Sequence, residues 1–248
     1  MTPIRLGGCV LALITVASCT SNQQARPNPT SSPAATSSAA TSTSPAARFT
    51  ASVTNQWFPL QPGSTRTYTG VKDGEPSKDV FVVQRKTQTI NGVPCAVVSD
   101  QLYLSGELAE RTTDYYTQDQ AGNVWYFGED TAELDSAGNV TSTEGSWRAG
   151  QDGAQPGIYI DAHPVVGHAD RQEFYRGHAE DHYQVISLSS PVTVPYRSFA
   201  NSLVTKEWTP LEPGVLDHKY YVAGIGMVAE VSAAGPVERN KLVSFTTG

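Results

Sequence analysis

From residue 49 to residue 248, short apolar and aromatic runs are cut by clusters of Gly, Pro, Asn and Asp at intervals of roughly eight to twelve residues. That punctuation leaves little room for the repeated i, i+3, i+4 apolar stripe of a packed helix, and it predicts antiparallel strands joined by tight turns. Residues 79–84 and 95–98 flank Asn91-Gly92, a hairpin signal. Residues 102–107, 111–118 and 123–127 continue as a meander. Further strands are expected at 171–175, 183–188, 192–199, 203–208, 218–222 and 227–232, with 198–202 as a candidate single helical turn. The expected fold is mainly β: one large antiparallel, curved sheet or half-barrel.

A weak internal repeat supports the meander. Asp119-Gln-Ala-Gly-Asn123-Val recurs as Asp135-Ser-Ala-Gly-Asn139-Val. Asp accepts backbone hydrogen bonds at the start of a turn, while Gly and Asn tolerate left-handed dihedrals. A calcium loop of the EF-hand kind needs more oxygen ligands and a terminal bidentate Glu, which neither copy supplies. Both copies are read as turns.

The chain before residue 49 follows other rules. Residues 1–18 form a secretory signal: a positive charge at Arg5, then an apolar run from Leu6 to Ala17. The run is shorter than the roughly 20 residues a permanent span requires. It ends in Val16-Ala17-Ser18-Cys19, which resembles the bacterial lipobox, so Cys19 is the expected lipidation site, through thioether-linked diacylglycerol. Residues 19–48 read as a disordered tether, because 29–47 contain only Pro, Ala, Ser and Thr and have nothing to bury. Such a coil spans roughly 30 Å on average. With Cys9 in the signal and Cys19 acylated, Cys95 is left without a disulfide partner and reads as a small buried hydrophobe among valines.

Residues 49–248 are enough for a single β domain with a sizeable core. They hold all 24 acidic residues against 14 of the 17 basic ones. That balance argues against nucleic acid, which demands a basic face. The expected location is the cell membrane or outer membrane, lipid-anchored and facing periplasm or exterior.

Three longer phrases resemble those of a group of uncharacterised bacterial envelope lipoproteins. They are Asn55-Gln-Trp-Phe-Pro-Leu-Gln-Pro-Gly63, the run from Asp114 to Asp130, and Lys219-Tyr-Tyr-Val-Ala-Gly-Ile-Gly-Met-Val228, with Thr209-Pro-Leu-Glu-Pro-Gly214 before the last. The resemblance implies a secreted or lipid-anchored β domain and assigns no catalytic residue.

Three kinds of chemistry compete within the domain. His163, His168, His178 and His182 fall within twenty residues, and imidazole suits zinc or copper. Four residues of extended strand cover about 13 Å, so His178 and His182 share one metal only if that segment is helical. Catalysis has weaker support: there is no GxSxG elbow, and Glu129-Asp130 and Glu180-Asp181 are adjacent carboxylates of a kind common on solvated turns. Trp57, Trp125, Tyr126, Phe127, Trp147 and Trp208 either fill the core or line a concave sheet that holds an apolar or sugar ligand. The expected function is a non-enzymatic binding or structural module of the envelope; the alternatives are a metal-binding periplasmic protein centred on His178 and His182, and a cell-envelope hydrolase.

Overall fold

The computed structural model describes residues 48–248; the signal segment, Cys19 and the tether up to residue 47 lie outside the described residues. A two-residue strand, β1 (Phe49–Thr50), leads into an irregular stretch and then a meander of β2 (Thr65–Lys72), β3 (Glu75–Ile90), β4 (Val93–Leu104) and β5 (Glu107–Asp119). Three loops of one kind fold it. Asp73-Gly74, Asn91-Gly92 and Ser105-Gly106 each place two successive residues at positive φ, 52° and 82°, 47° and 76°, 50° and 93°. That geometry matches the right-handed twist of the flanking strands.

The Asp-x-Ala-Gly-Asn repeat makes the next two turns, leading into β6 (Val124–Leu134) and then β7 (Val140–Ser142). In each copy the Asp carboxylate accepts the Asn amide, at 2.9 Å for Asp119–Asn123 and 2.8 Å for Asp135–Asn139. Then come β8 (Trp147–Arg148), β9 (Gln155–Ile160), β10 (Ala169–Arg171), β11 (Glu173–Phe174), β12 (His182–Thr193), β13 (Ser198–Trp208), β14 (Leu216–Val222), β15 (Gly226–Ala234) and β16 (Arg239–Thr246).

All pairings are antiparallel, and β16 returns to lie beside β2. The order around the sheet runs β10-β12-β13-β14-β15-β16-β2-β3-β4-β5-β6-β9-β11. Its two ends, β10 and β11, are separated in sequence only by Gln172, which is buried. Gln172 spans the seam: its amide donates to Asp181 O at 2.7 Å and its side chain to Tyr159 O at 3.2 Å. The expected curved sheet is therefore one large antiparallel sheet nearly closed into a barrel.

Several local expectations are corrected. Residues 198–202 are not a helical turn but the start of β13, where Val192 faces Phe199 and Ser202 Oγ donates to Ser190 O at 2.8 Å. Residues 102–107 and 192–199 are not strands but hairpin ends, turning at 105–106 and 194–197. Residues 171–175 are split between β10 and β11.

The motif around Trp57 plugs one pole of the barrel. Asn55 Nδ2 donates to Gly122 O and Asp161 O, and Asn55 Oδ1 accepts the Trp57 amide, which turns the chain inward. Phe58 and Leu60 then sit in the core, where Phe58 packs on Tyr116 and Tyr159 at 5.1 and 4.6 Å between ring centroids. Arg66 holds the plug from below. It is buried, lies over Phe81 and Phe245, and donates to Pro59 O and Ile225 O, each at 2.6 Å. The similar phrase at 209–214 forms a half-exposed loop at the opposite pole, so the two are not equivalent.

Candidate functional site

Because the strands alternate direction, the turns at 73–74 and 105–106 lie at the pole away from the Phe58 plug. The inward residues at that end are charged. Lys72 on β2, Asp79 on β3, Asp100 and Leu102 on β4, Glu110, Thr112 and Asp114 on β5, and Glu129 on β6 line a cavity of about 190 Å³. Five of its eight lining residues are acids and one is a base.

Few donors answer those acids. Tyr126 OH donates to Asp114 Oδ1 at 2.6 Å, Asn240 Nδ2 to Asp79 Oδ2 at 3.0 Å, and Thr112 Oγ1 to Glu110 Oε1 at 3.1 Å. Lys72 turns to Glu238 at 3.3 Å. Asp79 Oδ1 is buried and its carboxyl lies against that of Asp100, while Glu129 is half-buried on the cavity wall.

Desolvation in this setting disfavours charge. Burial, with Asp100 and Glu110 nearby, pushes the Asp114 carboxyl up to about 8 against the pull of Tyr126. Burial and the neighbouring Glu173 and Asp114 hold Glu129 well above the usual carboxylate range, and burial beside Asp100 does the same to Asp79. Burial thus disfavours ionisation of Asp79, Asp114 and Glu129.

The opposite wall is charged too, but its acids share a lysine. Lys219 on β14 lies 2.9 Å from Glu207 and 3.4 Å from Glu230. Thr205 and Tyr221 hydroxyls also donate to Glu207, at 2.7 and 3.2 Å. Burial alone would lower the Lys219 ammonium, yet the two carboxylates hold it well above its ordinary value. Deeper in, Trp147 Nε1 donates to Glu173 Oε2 at 2.6 Å. The barrel thus carries one wall on which a lysine bridges two carboxylates, and one acidic cavity whose lysine pairs with Glu238 instead.

The four histidines are dispersed among separate partners. His178 Nδ1 contacts Glu144 Oε1 at 2.8 Å and its ring stacks on Tyr175; His168 Nδ1 contacts Asp161 Oδ2 at 2.8 Å. His182 stacks on Trp208 with Nδ1 2.9 Å from Glu180 O, and His163 is exposed. Among the described residues, no group of three or more His, Cys, Asp or Glu side chains is arranged to hold a metal ion.

Strand alternation separates Glu129 from Asp130, and Glu180 and Asp181 precede β12 with different partners. Glu129 lines the cavity, whereas Asp130 pairs with Arg148 outside it. Glu180 accepts the Gly177 amide and Asp181 faces inward near Lys219. Of the six aromatic residues singled out above, Tyr126, Phe127 and Trp147 are buried in the core, with Tyr126 stacked 4.8 Å from Tyr116 and edge-on to Trp147 at 5.5 Å. Trp57, Trp125 and Trp208 are half-buried.

No family model matches the chain, and no curated protein matches it. Among solved structures, a candidate lipoprotein from Parabacteroides distasonis ATCC 8503 aligns over 77% of this chain and 99% of its own, at 11% identity and a TM-score of 0.44. At that level the likeness carries no argument about function, and the family resemblance rests on the sequence phrases alone.

Proposed function

We propose that this chain is a membrane-anchored envelope lipoprotein whose barrel is a non-enzymatic binding module, with its ligand site in the acidic cavity. The anchor reading rests on the Val16-Ala17-Ser18-Cys19 sequence and the Pro/Ala/Ser/Thr stretch behind it. The binding reading is carried by one observation: the cavity gathers five carboxyl groups around a single lysine already committed to Glu238. Carboxyls gathered on one inner wall cost desolvation and mutual repulsion that apolar residues of similar volume would not, which favours a role for them beyond architecture. Neither adjacent pair of acids forms a dyad: Glu129 lines the cavity while Asp130 pairs with Arg148, and Glu180 accepts the Gly177 amide while Asp181 lies near Lys219.

Two measurements test this reading. Native mass spectrometry of the protein purified from its own envelope should reveal a co-purifying small molecule, and a protein that is consistently empty would count against a binding role. Cys19→Ala should release unprocessed protein from membranes; a variant that still incorporates radioactive palmitate and stays membrane-bound would refute the anchor.

A further inference from the structure

The two poles of the barrel differ in charge. At the pole of the acidic cavity, the turns at 73–74, 105–106, 135–139, 209–215 and 235–238 hold Asp73, Asp135, Glu212 and Glu238 and no Lys or Arg. At the plug pole, segments 51–64, 119–123, 161–167, 194–197 and 223–225 hold two acids, and neither is exposed: Asp119 bonds to Asn123 and Trp125, and Asp161 to His168 and Tyr183. Exposed bases gather there instead. Arg197 stands in the β12–β13 turn, Arg48 precedes β1, and Arg85, followed by Lys86, lies against Gly63 of the plug segment. This happens in a domain where 24 acids outnumber 14 bases.

The β12–β13 turn is held firmly. Val194 is buried, the Tyr196 amide donates to Leu242 O at 3.0 Å, and the Arg197 guanidinium lies 4.7 Å from the Phe199 ring centroid and 5.4 Å from that of Tyr196. Tyr196 is exposed, and so are Val165 and Val166 on the loop that Asn123 pins through the Ala162 amide at 2.9 Å. A tyrosine ring suits the boundary between apolar and wet layers, and a guanidinium beside it suits phosphate. The polypeptide also joins the barrel at this pole: β1 pairs Phe49 with Asp119, so the chain leading back to Cys19 enters beside the Asp119 turn.

We propose that the plug pole docks on the anionic lipid surface that carries the anchor, with Tyr196 and Arg197 in the headgroup layer and the acidic cavity turned away from the membrane. This inference rests on the anchor reading and adds an orientation to it. A coil as long as the stretch from Cys19 to residue 48 lets a barrel turn freely, so attachment alone sets no orientation. The bases of this pole supply it, because an anionic leaflet attracts each Lys or Arg brought to its surface and repels the acidic turns of the other pole.

The test uses the lipidated full chain on vesicles of phosphatidylcholine, alone or mixed equally with phosphatidylglycerol. An environment-sensitive fluorophore is attached through Ser198→Cys beside the tip or Val237→Cys at the other pole; Cys95 is buried and stays unlabelled. On the mixed vesicles the label at 198 should shift to the blue and be shielded from acrylamide, while the label at 237 stays accessible. Arg197→Gln should lower the ratio of docked to free barrels about fivefold, the worth of one basic side chain at an anionic surface. Lys78→Gln, at the cavity end of β3, should leave that ratio unchanged, and matched melting curves show that the variants are folded. Equal quenching of both labels on vesicles with which the protein floats, or shielding that Arg197→Gln leaves unaltered, would overturn the docking and leave the anchor standing. Shielding that grows with protein density and ignores lipid charge would overturn it in favour of a second copy. A chain that does not float with vesicles would sink the anchor reading and this inference with it.

Discussion

Tyr126 donates its phenolic proton to Asp114 across 2.6 Å, with both side chains buried at the inner end of the acidic cavity. The bond favours the ionised carboxyl, yet burial outweighs it and Asp114 titrates near 8. A carboxyl raised in the folded state contributes stability that is fully present below its unfolded value, near 4, and is lost as pH rises through about 8. The protein should therefore melt at higher temperature at pH 5 than at pH 8. Asp114→Asn keeps an acceptor for Tyr126 and cannot ionise, so it should flatten that dependence in calorimetric scans. An unchanged slope would show that Asp114 is not among the groups responsible.

Lys219 is the sole base between Glu207 and Glu230 among the ion pairs of that wall. Lys219→Met strands two enclosed carboxylates and should cost about 3–5 kcal/mol in denaturant unfolding at neutral pH. The loss should shrink on acidification, because Glu230 is already raised to about 7 by burial.

The twin turns predict unequal responses to one substitution. Asp119 accepts the Asn123 amide and side chain and also Trp125 Nε1 at 2.9 Å, half-buried beside the plug. Asp135 serves only its own exposed loop. Asp119→Ala should cost about 1–3 kcal/mol through the donors it leaves unmet, whereas Asp135→Ala should be close to neutral.

Phe58→Ala empties the plug at the apolar pole and should destabilise by about 3–5 kcal/mol.

Cys95 is inaccessible, with its thiol raised to about 12 by burial. Iodoacetamide should label it only on unfolding, so labelling at neutral pH should track global stability.

The turns were the most legible part of the fold, but unevenly so. Asn91-Gly92 announces its loop, while Asp73-Gly74 and Ser105-Gly106 adopt the same dihedrals without standing out, since the apolar alternation of 102–107 runs straight through the second. Ser198, Asn201 and Ser202 suit a helical turn, and only the pairing of this segment with β12 makes it a strand. The histidines attracted attention by sequence proximity, which strand geometry then dispersed. The cavity was hidden for the opposite reason: its acids are spread over four strands between residues 79 and 129, and the lateral pairing of those strands brings them together. One signal was available, for Asp79 shares the inward parity of Phe81 and Val83, so a charge occupied a core position of an apolar strand.

The seam at Gln172 also has a bearing on crowding. The chain beside it covers β12 only as far as Val185, through bonds to Gly167 and His168, and the strand runs on to Thr193 with Ile186 and Leu188 exposed. An uncovered strand of that kind is a template for pairing with a neighbouring molecule. This one is interrupted by register shifts between Val185 and Val192 and by Pro191, which has no amide hydrogen to offer. Molecules held at high density on one surface would thus meet along blunted margins and remain separate.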